Sequence, residues 1–311
     1  MSTALKFIDP AELSRITDLQ LIARTVVNGV MSGMHRSART GASIEFKQYR
    51  PYVQGDDPRH IDWPLYGRTD RLHIRQFQEE TNLNCTLLLD CSASMDYGSH
   101  GVTKFRYAQM LVASLAMMLG QQRDTLGLIG YHEQIKVNIP PRAHSNQLNR
   151  VLVELANLEC AGMTDSEVAL RYLGDVLMPR GMVILVSDLL HPLEGMIEHL
   201  RSLRAQRHDV LVLQITDPAE RDFPFEENMT LVDVENGLEQ FTTPTEIRDA
   251  YLENRNAHFE RIRRECLAFE IDIAEFSTDE PLDTALQYFL RRRHNRLTTT
   301  SGRRRSPGGP R

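Results

Sequence analysis

The sequence predicts an α/β protein built on a doubly wound, mostly parallel sheet. Two observations carry this expectation. Short runs at residues 85–89, 182–186 and 210–215 are continuously apolar. Between them lie segments whose apolar residues recur at helical spacing. A strand that is apolar on both sides is covered on both faces, as the strands of parallel sheets are, and helices supply the cover.

The elements follow in order. Before Thr81 the chain is polar and arginine-rich, with strand-like stretches at 44–49 and 72–77 around the turn-prone Gly55-Asp56-Asp57-Pro58. This suggests an N-terminal β-rich accessory element. After the first buried strand at 85–89, Phe105, Ala108, Leu111, Val112, Leu115 and Leu119 mark a helix over 103–119. A strand at 125–131, a helix around Leu148, Leu152 and Leu155, and a helix over 168–177 come next. The strand at 182–186, a helix over 193–207 and a strand at 210–215 extend the alternation. Thr243-Pro244-Thr245-Glu246 is a helix start, with Thr243 as cap, Pro244 at the first position and Glu246 able to close a capping box. That helix should run to about Phe269, followed by a strand at 271–276 and a helix over 282–293.

Composition narrows the function. An apolar fraction of 41% and a charged fraction of 25% are ordinary for a globular protein, so neither disorder nor a fibrous class is indicated. The net charge of -6 is unevenly spread. Residues 291–311 hold eight arginines and no acid, which leaves about -14 on the first 290. Such a body disfavours nonspecific nucleic-acid binding, and no nucleic-acid partner is expected. The tail, residues 296–311, is low in complexity and expected to be disordered. No apolar stretch approaches the roughly 20 residues of a membrane span, and no signal peptide is legible at the start, so no membrane insertion is expected. Cys85, Cys91, Cys160 and Cys266 form no C-x-x-C pair, which favours reduced thiols and a cytoplasmic location.

The chemistry concentrates at Asp90-Cys91-Ser92-Ala93-Ser94, directly after the first buried strand. One carboxylate and two hydroxyls on one loop suit a hard divalent cation. Taken alone, the same residues also form an ordinary turn and helix cap. Two further pieces favour the cation. Thr164 lies in the loop Gly162-Met163-Thr164-Asp165, and Asp188 follows the strand at 182–186. In a parallel sheet the carboxyl ends of strands meet at one edge, so Asp90, Ser92, Ser94, Thr164 and Asp188 can converge there. Cys91 has no evident histidine partner and reads as a small apolar residue. His132-Glu133 lacks the second histidine of a zinc-protease motif, and no P-loop occurs. Trp63, the sole tryptophan, is expected to brace the N-terminal element by packing and ion pairs.

These residues resemble two known patterns. Asp-x-Ser-x-Ser with a later Thr and Asp is similar to the metal-ion-dependent adhesion site of von Willebrand factor A domains. The run Arg50-Pro51-Tyr52-Val53-Gln54-Gly55-Asp56-Asp57-Pro58-Arg59-His60-Ile61-Asp62-Trp63, with Arg68 and Glu79-Glu80 after it, resembles the family called domain of unknown function 58. The resemblance covers roughly residues 41–289. Met163 and Gly67 depart from the family's usual glycine and alanine, and neither departure removes a ligand. The resemblance implies a von Willebrand factor A-like, Rossmann-like domain over residues 81–295, preceded by an accessory element at 1–80 that carries the family run. It implies that Ser92, Ser94 and Thr164 offer hydroxyls and Asp90 and Asp188 carboxylates to Mg²⁺, with Mn²⁺ or Ca²⁺ as substitutes. It further implies a bacterial, non-enzymatic interaction module. Such a module works with a MoxR-type AAA+ ATPase in chaperone-like maturation, its client supplying an acidic residue to the ion. The alternative is a Mg²⁺-dependent hydrolase using the same ion as a Lewis acid.

Overall fold

The computed structural model describes residues 9–38, 49–53, 61, 63–75, 83–144, 146–176, 180–191, 194–232 and 237–291. The tail at 296–311 and much of the family run before Trp63 lie outside them. The chain divides into two compact units, Met31–Asn82 and the remainder.

The larger unit is organised by a six-stranded sheet. Its strands are β3 (Asn84–Asp90), β4 (Thr125–Tyr131), β5 (Ile135–Arg142), β6 (Met182–Ser187), β7 (Asp209–Thr216) and β10 (Asp272–Ser277). They lie side by side in the order β10-β7-β6-β3-β4-β5, and every pair is parallel except β4 with β5. Counted along the chain this is the order 6-5-4-1-2-3, the doubly wound α/β class that the apolar runs predicted. β3, β4, β6 and β7 are buried along nearly their whole length. One face is covered by α6 (Ser166–Val176), α7 (Glu194–Ala205) and α9 (Pro244–Ala268). Their Leu170, Leu173, Met196, Leu200, Phe259 and Ile262 pack with Leu88, Ile129, Leu185 and Val212 of the strands. The helix α4 (Lys104–Gln121), almost wholly buried, covers the other face with α5 (Gln147–Asn157).

Chain order reverses between β3 and β6. From β3 the chain steps outward to β4 and β5; from β6 it steps the other way to β7 and β10. The connecting helices leave in opposite directions there, which opens a crevice beyond the two carboxyl ends. Asp90 is the last residue of β3 and Ser187 the last of β6, so the topology sets both at the mouth of that crevice.

Several elements escaped the sequence reading. β5 alternates exposed and less exposed residues and carries Pro140-Pro141, the pattern of an edge strand. β8 (Met229–Val232) and β9 (Glu239–Thr242) form a separate antiparallel ribbon before α9. The capping box expected at Thr243 is absent, since the Thr243 side chain makes no cap bond. A capping box forms instead on the short α8 (Pro218–Asp222), between Asp217 and Glu220. A carboxylate is the stronger acceptor for helix N–H groups, and Asp217 is held by further donors as well. Upstream, α1 (Pro10–Ser14) and α2 (Leu19–Ala38) add helix that the polar composition concealed. The Asp18 carboxylate accepts from the Gln20 and Leu21 amides at the start of α2. Leu19, Ile22, Ala23, Val26, Val27 and Val30 are buried along one stripe.

In the smaller unit, β1 (Tyr49–Pro51) pairs antiparallel with β2 (His73–Arg75), and α3 (Trp63–Thr69) lies between them in sequence. Trp63 does not act as the packed brace expected of it. Its side chain is 59% exposed and meets Tyr66 edge-on at 6.2 Å. No described helix in either unit is long and apolar enough to cross a membrane.

Candidate functional site

β3 ends in Asp90 because the next residues turn away from the sheet while their backbone stays pinned. The Cys91 amide still donates to Tyr131 O of β4 at 2.7 Å, and a 3-10 turn follows over Ala93–Asp96. At the end of β3 the Asp90 carboxylate joins the turn to β6. Its Oδ1 accepts from the Ser92 amide at 3.0 Å, and its Oδ2 accepts from Ser187 Oγ of β6 at 2.6 Å. Ser92 Oγ and Ser94 Oγ lie 3.1 Å apart. Asp90, Ser92 and Ser187 are fully buried, and Ser94 is half-buried.

The loop between α5 and α6 is clipped onto the same turn. The Ala161 amide donates to Cys91 O at 2.9 Å, and the Ala93 amide donates to Gly162 O at 3.0 Å. Gly162 adopts φ +72°, a left-handed conformation that suits glycine. Thr164 is half-buried two residues beyond this clip, and Asp165 Oδ1 accepts from the Glu167 amide at 3.0 Å at the start of α6.

Asp188 continues from β6 and is buried. Its Oδ2 accepts from Lys104 Nζ at 2.8 Å, its Oδ1 accepts from the Leu190 amide at 3.3 Å, and the Ser94 hydroxyl donates to the carboxylate. Next to it, Leu189 sits at φ +60° although fully buried. A leucine there costs roughly 1–2 kcal/mol, so its surroundings must impose the shape. Two bonds do so: the Leu189 amide donates to Ser187 Oγ at 3.0 Å, and His258 Nε2 of α9 donates to Leu189 O at 2.8 Å.

The electrostatics of the two acids differ. Burial, then the neighbouring Asp188 charge, push the Asp90 carboxyl up to about 7, against the bonds from Ser187 and Ser92. Burial also opposes ionisation of Asp188, but the Lys104 ammonium and the donors Lys104 and Ser94 outweigh it and hold this carboxyl below its usual value. Two buried carboxylates thus share the crevice, and of the pair Lys104 contacts Asp188 alone. Cys91 is pushed up to about 12 by burial and by Asp90, which suits the inert apolar role expected of it.

Four of the five sequence-predicted residues therefore meet through direct contacts: Asp90 and Ser92 with each other, and Ser94 with both Ser92 and Asp188. The loop carrying Thr164 is joined to them by backbone bonds. Sequence reasoning missed Ser187, Lys104 and Glu220. Ser187 was visible as the last strand residue. Lys104 and Glu220 carry no local signal, because their roles arise only when α4 and α8 pack beside Asp188. Hydroxyls and carboxylates without a thiolate or imidazole among them form a hard-oxygen donor set, which fits Mg²⁺ better than a transition metal. No group of three or more His, Cys, Asp and Glu side chains that could hold a metal occurs among the described residues, so a cation here would depend on the serine and threonine hydroxyls.

Fold and site together define a doubly wound α/β protein with an oxygen-lined crevice at its chain reversal. More particularly, the chain belongs to the family described as protein of unknown function DUF58, whose model matches residues 48–261. It is 28% identical over 254 residues to the uncharacterized protein Rv1480 of Mycobacterium tuberculosis (strain ATCC 25618 / H37Rv), covering 80% of each chain. A shorter match, 27% over 115 residues, is to the uncharacterized protein MAV169 of Mycobacterium avium, covering 37% of this chain and 67% of that one. Among solved structures, the conserved hypothetical protein BatB from Bacteroides thetaiotaomicron is similar with a TM-score of 0.48 and 16% identity, over 68% of this chain and 98% of that one. An aerotolerance-related membrane protein from Bacteroides fragilis gives 0.46 and 14%, over 67% and 97%.

Proposed function

We propose that this protein is a non-enzymatic, metal-dependent protein–protein interaction module. Its crevice holds Mg²⁺ through Ser92, Ser94 and Thr164, with Asp90 and Asp188 as carboxylates and Mn²⁺ or Ca²⁺ as substitutes. The observation that carries the reading is the pair of buried carboxylates at the chain reversal, each hydrogen-bonded to a serine hydroxyl. A divalent cation there would offset the burial, and after it the Asp188 charge, that raise Asp90. Neutral hydroxyls leave such an ion electrophilic, ready to take an acidic side chain from a partner.

The surroundings of the crevice support a protein partner. Met163 beside Thr164 and Leu190 beyond Asp188 are each about half-exposed, and Tyr97 beyond Ser94 is also exposed, so apolar side chains accompany all three loops. Apolar contacts around one charged anchor suit a protein surface. A cavity of about 1170 Å³ lies elsewhere, between α7 and the end of α9. The hydrolase alternative needs a general base near the ion, and the nearby Asp165 carboxylate is engaged at the start of α6.

The family's resemblance extends the proposal. A MoxR-type AAA+ ATPase supplies the work, and this chain presents or recognises a client during chaperone-like maturation in the bacterial cytoplasm. Its four free cysteines agree with a reducing compartment. The test is affinity capture from a native lysate, with and without chelator. Capture of an AAA+ ATPase or its client is expected with Mg²⁺ and is lost with chelator. Equal capture under both conditions would remove the metal from the function. Turnover of a phosphoester panel by the purified protein would favour the hydrolase.

A further inference from the structure

Lys104 breaks two rules at once. It is fully buried, and it occupies the first turn of α4, where the helix end is already positive. A cation is kept in such a place for what it touches. Nζ donates to Asp188 Oδ2 at 2.8 Å and to Glu220 Oε1 at 2.6 Å. Glu220 Oε2 in turn accepts from the Asp217 amide at 3.2 Å, as part of the α8 capping box. The ammonium therefore joins the second carboxylate of the crevice to an acid that α8 holds in place. Burial alone would discharge a lysine; Asp188 and Glu220 keep this one charged.

We infer that Lys104 is a positioning residue that sets the charge of the crevice. It orients Asp188 and subtracts from the negative charge offered to the cation, so that a bound ion stays electropositive enough to attract an outside acid. The inference rests on the proposed metal reading. It makes a prediction that a purely structural ion pair does not: removing the lysine should strengthen cation binding. A buried positive charge in contact with one of the carboxylates offered to a divalent ion opposes binding by roughly tenfold or more. Loss of a merely structural lysine would loosen the loops and weaken binding instead.

The experiment is calorimetric titration of the full-length protein with Mg²⁺ alone. Lys104→Met should bind Mg²⁺ at least about tenfold more tightly than wild type, while melting lower in chelator because Asp188 and Glu220 lose their partner. Lys104→Arg keeps the charge and should stay within about threefold of wild type. Should Lys104→Met fail to fold, the double variant Lys104→Met/Glu220→Gln leaves no unpaired glutamate behind. It should again bind more tightly than wild type, by a smaller factor. Mg²⁺ binding by wild type, with equal or weaker affinity in whichever folded variants lack the lysine charge, would overturn the inference and leave the metal reading intact. Absence of Mg²⁺ binding by wild type would overturn both.

Discussion

Replacing Asp90 with alanine should abolish Mg²⁺ binding, and with it any Mg²⁺-induced rise in melting temperature. This carboxylate does three things at once. It carries half of the crevice's acidic charge, fixes the Ser92 amide at 3.0 Å, and ties β3 to β6 through Ser187 Oγ at 2.6 Å. Losing the charge alone should cost about a hundredfold in affinity for a divalent ion in so buried a site. Loss of metal-dependent partner capture should follow. In chelator the substitution works the other way. Asp90 is a buried acid beside another acid, so without a cation its ionised form weakens the fold. Asp90→Asn, which keeps the shape, should therefore melt above wild type at pH 8 without metal. The pH profile carries the same sign. The folded protein keeps its proton up to about pH 7, whereas the unfolded chain releases it near 3.8. Between those values the folded state binds the extra proton, so the contribution of Asp90 to metal-free stability falls as pH rises, by on the order of 1 kcal/mol per unit at most. The buried His132, His191 and His208, whose values burial lowers, contribute with the opposite sign. Asp188 does not alter this window, because its depressed value places its transition below it. Thermal melts across pH with and without Mg²⁺ test both parts. A difference between wild type and Asp90→Asn that does not change with pH in chelator, or a Mg²⁺ shift that survives Asp90→Ala, would refute the assignment.

Asp217→Ala should be the most damaging single change to stability among the polar residues of the sheet's carboxyl edge, at about 3 kcal/mol or roughly 10 °C in melting temperature. The side chain is fully buried and, besides its part in the capping box, accepts from four donors. They are the Ala219 amide at 2.8 Å, the Ser99 amide at 2.9 Å, Ser99 Oγ at 2.5 Å and Thr278 Oγ1 at 3.2 Å. These donors come from α8, from the loop before α4 and from the segment after β10, so one carboxylate joins three stretches distant in sequence. Alanine leaves the donors inside the protein without an acceptor, which costs more than the bonds alone contribute. Asp217→Asn keeps one acceptor oxygen and should lose about half as much. Urea unfolding with an unchanged denaturant slope would isolate the stability term. A loss below about 1 kcal/mol would mean that water replaces the carboxylate.

Legibility in the sequence followed burial. Strands covered on both faces, such as residues 182–186, announced themselves because every position must be apolar. Residues with two exposed or half-exposed sides did not: β5 and the β8–β9 ribbon mix polar and apolar residues with no clean period. The Thr243 box shows the limit of local signals. Its motif was complete, yet the Thr243 side chain makes no cap bond on α9, while Asp217 on α8 forms a capping box. At the site, Asp90 and the two serines were legible because they are neighbours in sequence. Thr164 and Asp188 could be added only by supposing that strand ends converge.

The sequence by itself determined the α/β alternation and the oxygen chemistry at the end of the first buried strand, since both depend on residue type and short spacing. Only the tertiary structure decided that the chain reverses between β3 and β6, which sets Asp90 against Ser187 and Asp188 beside Lys104. The reason is that charge in a dry crevice acts through space. Lys104 and Asp188 stand 84 positions apart in the chain and 2.8 Å apart in the fold, and no pattern along the chain encodes that distance.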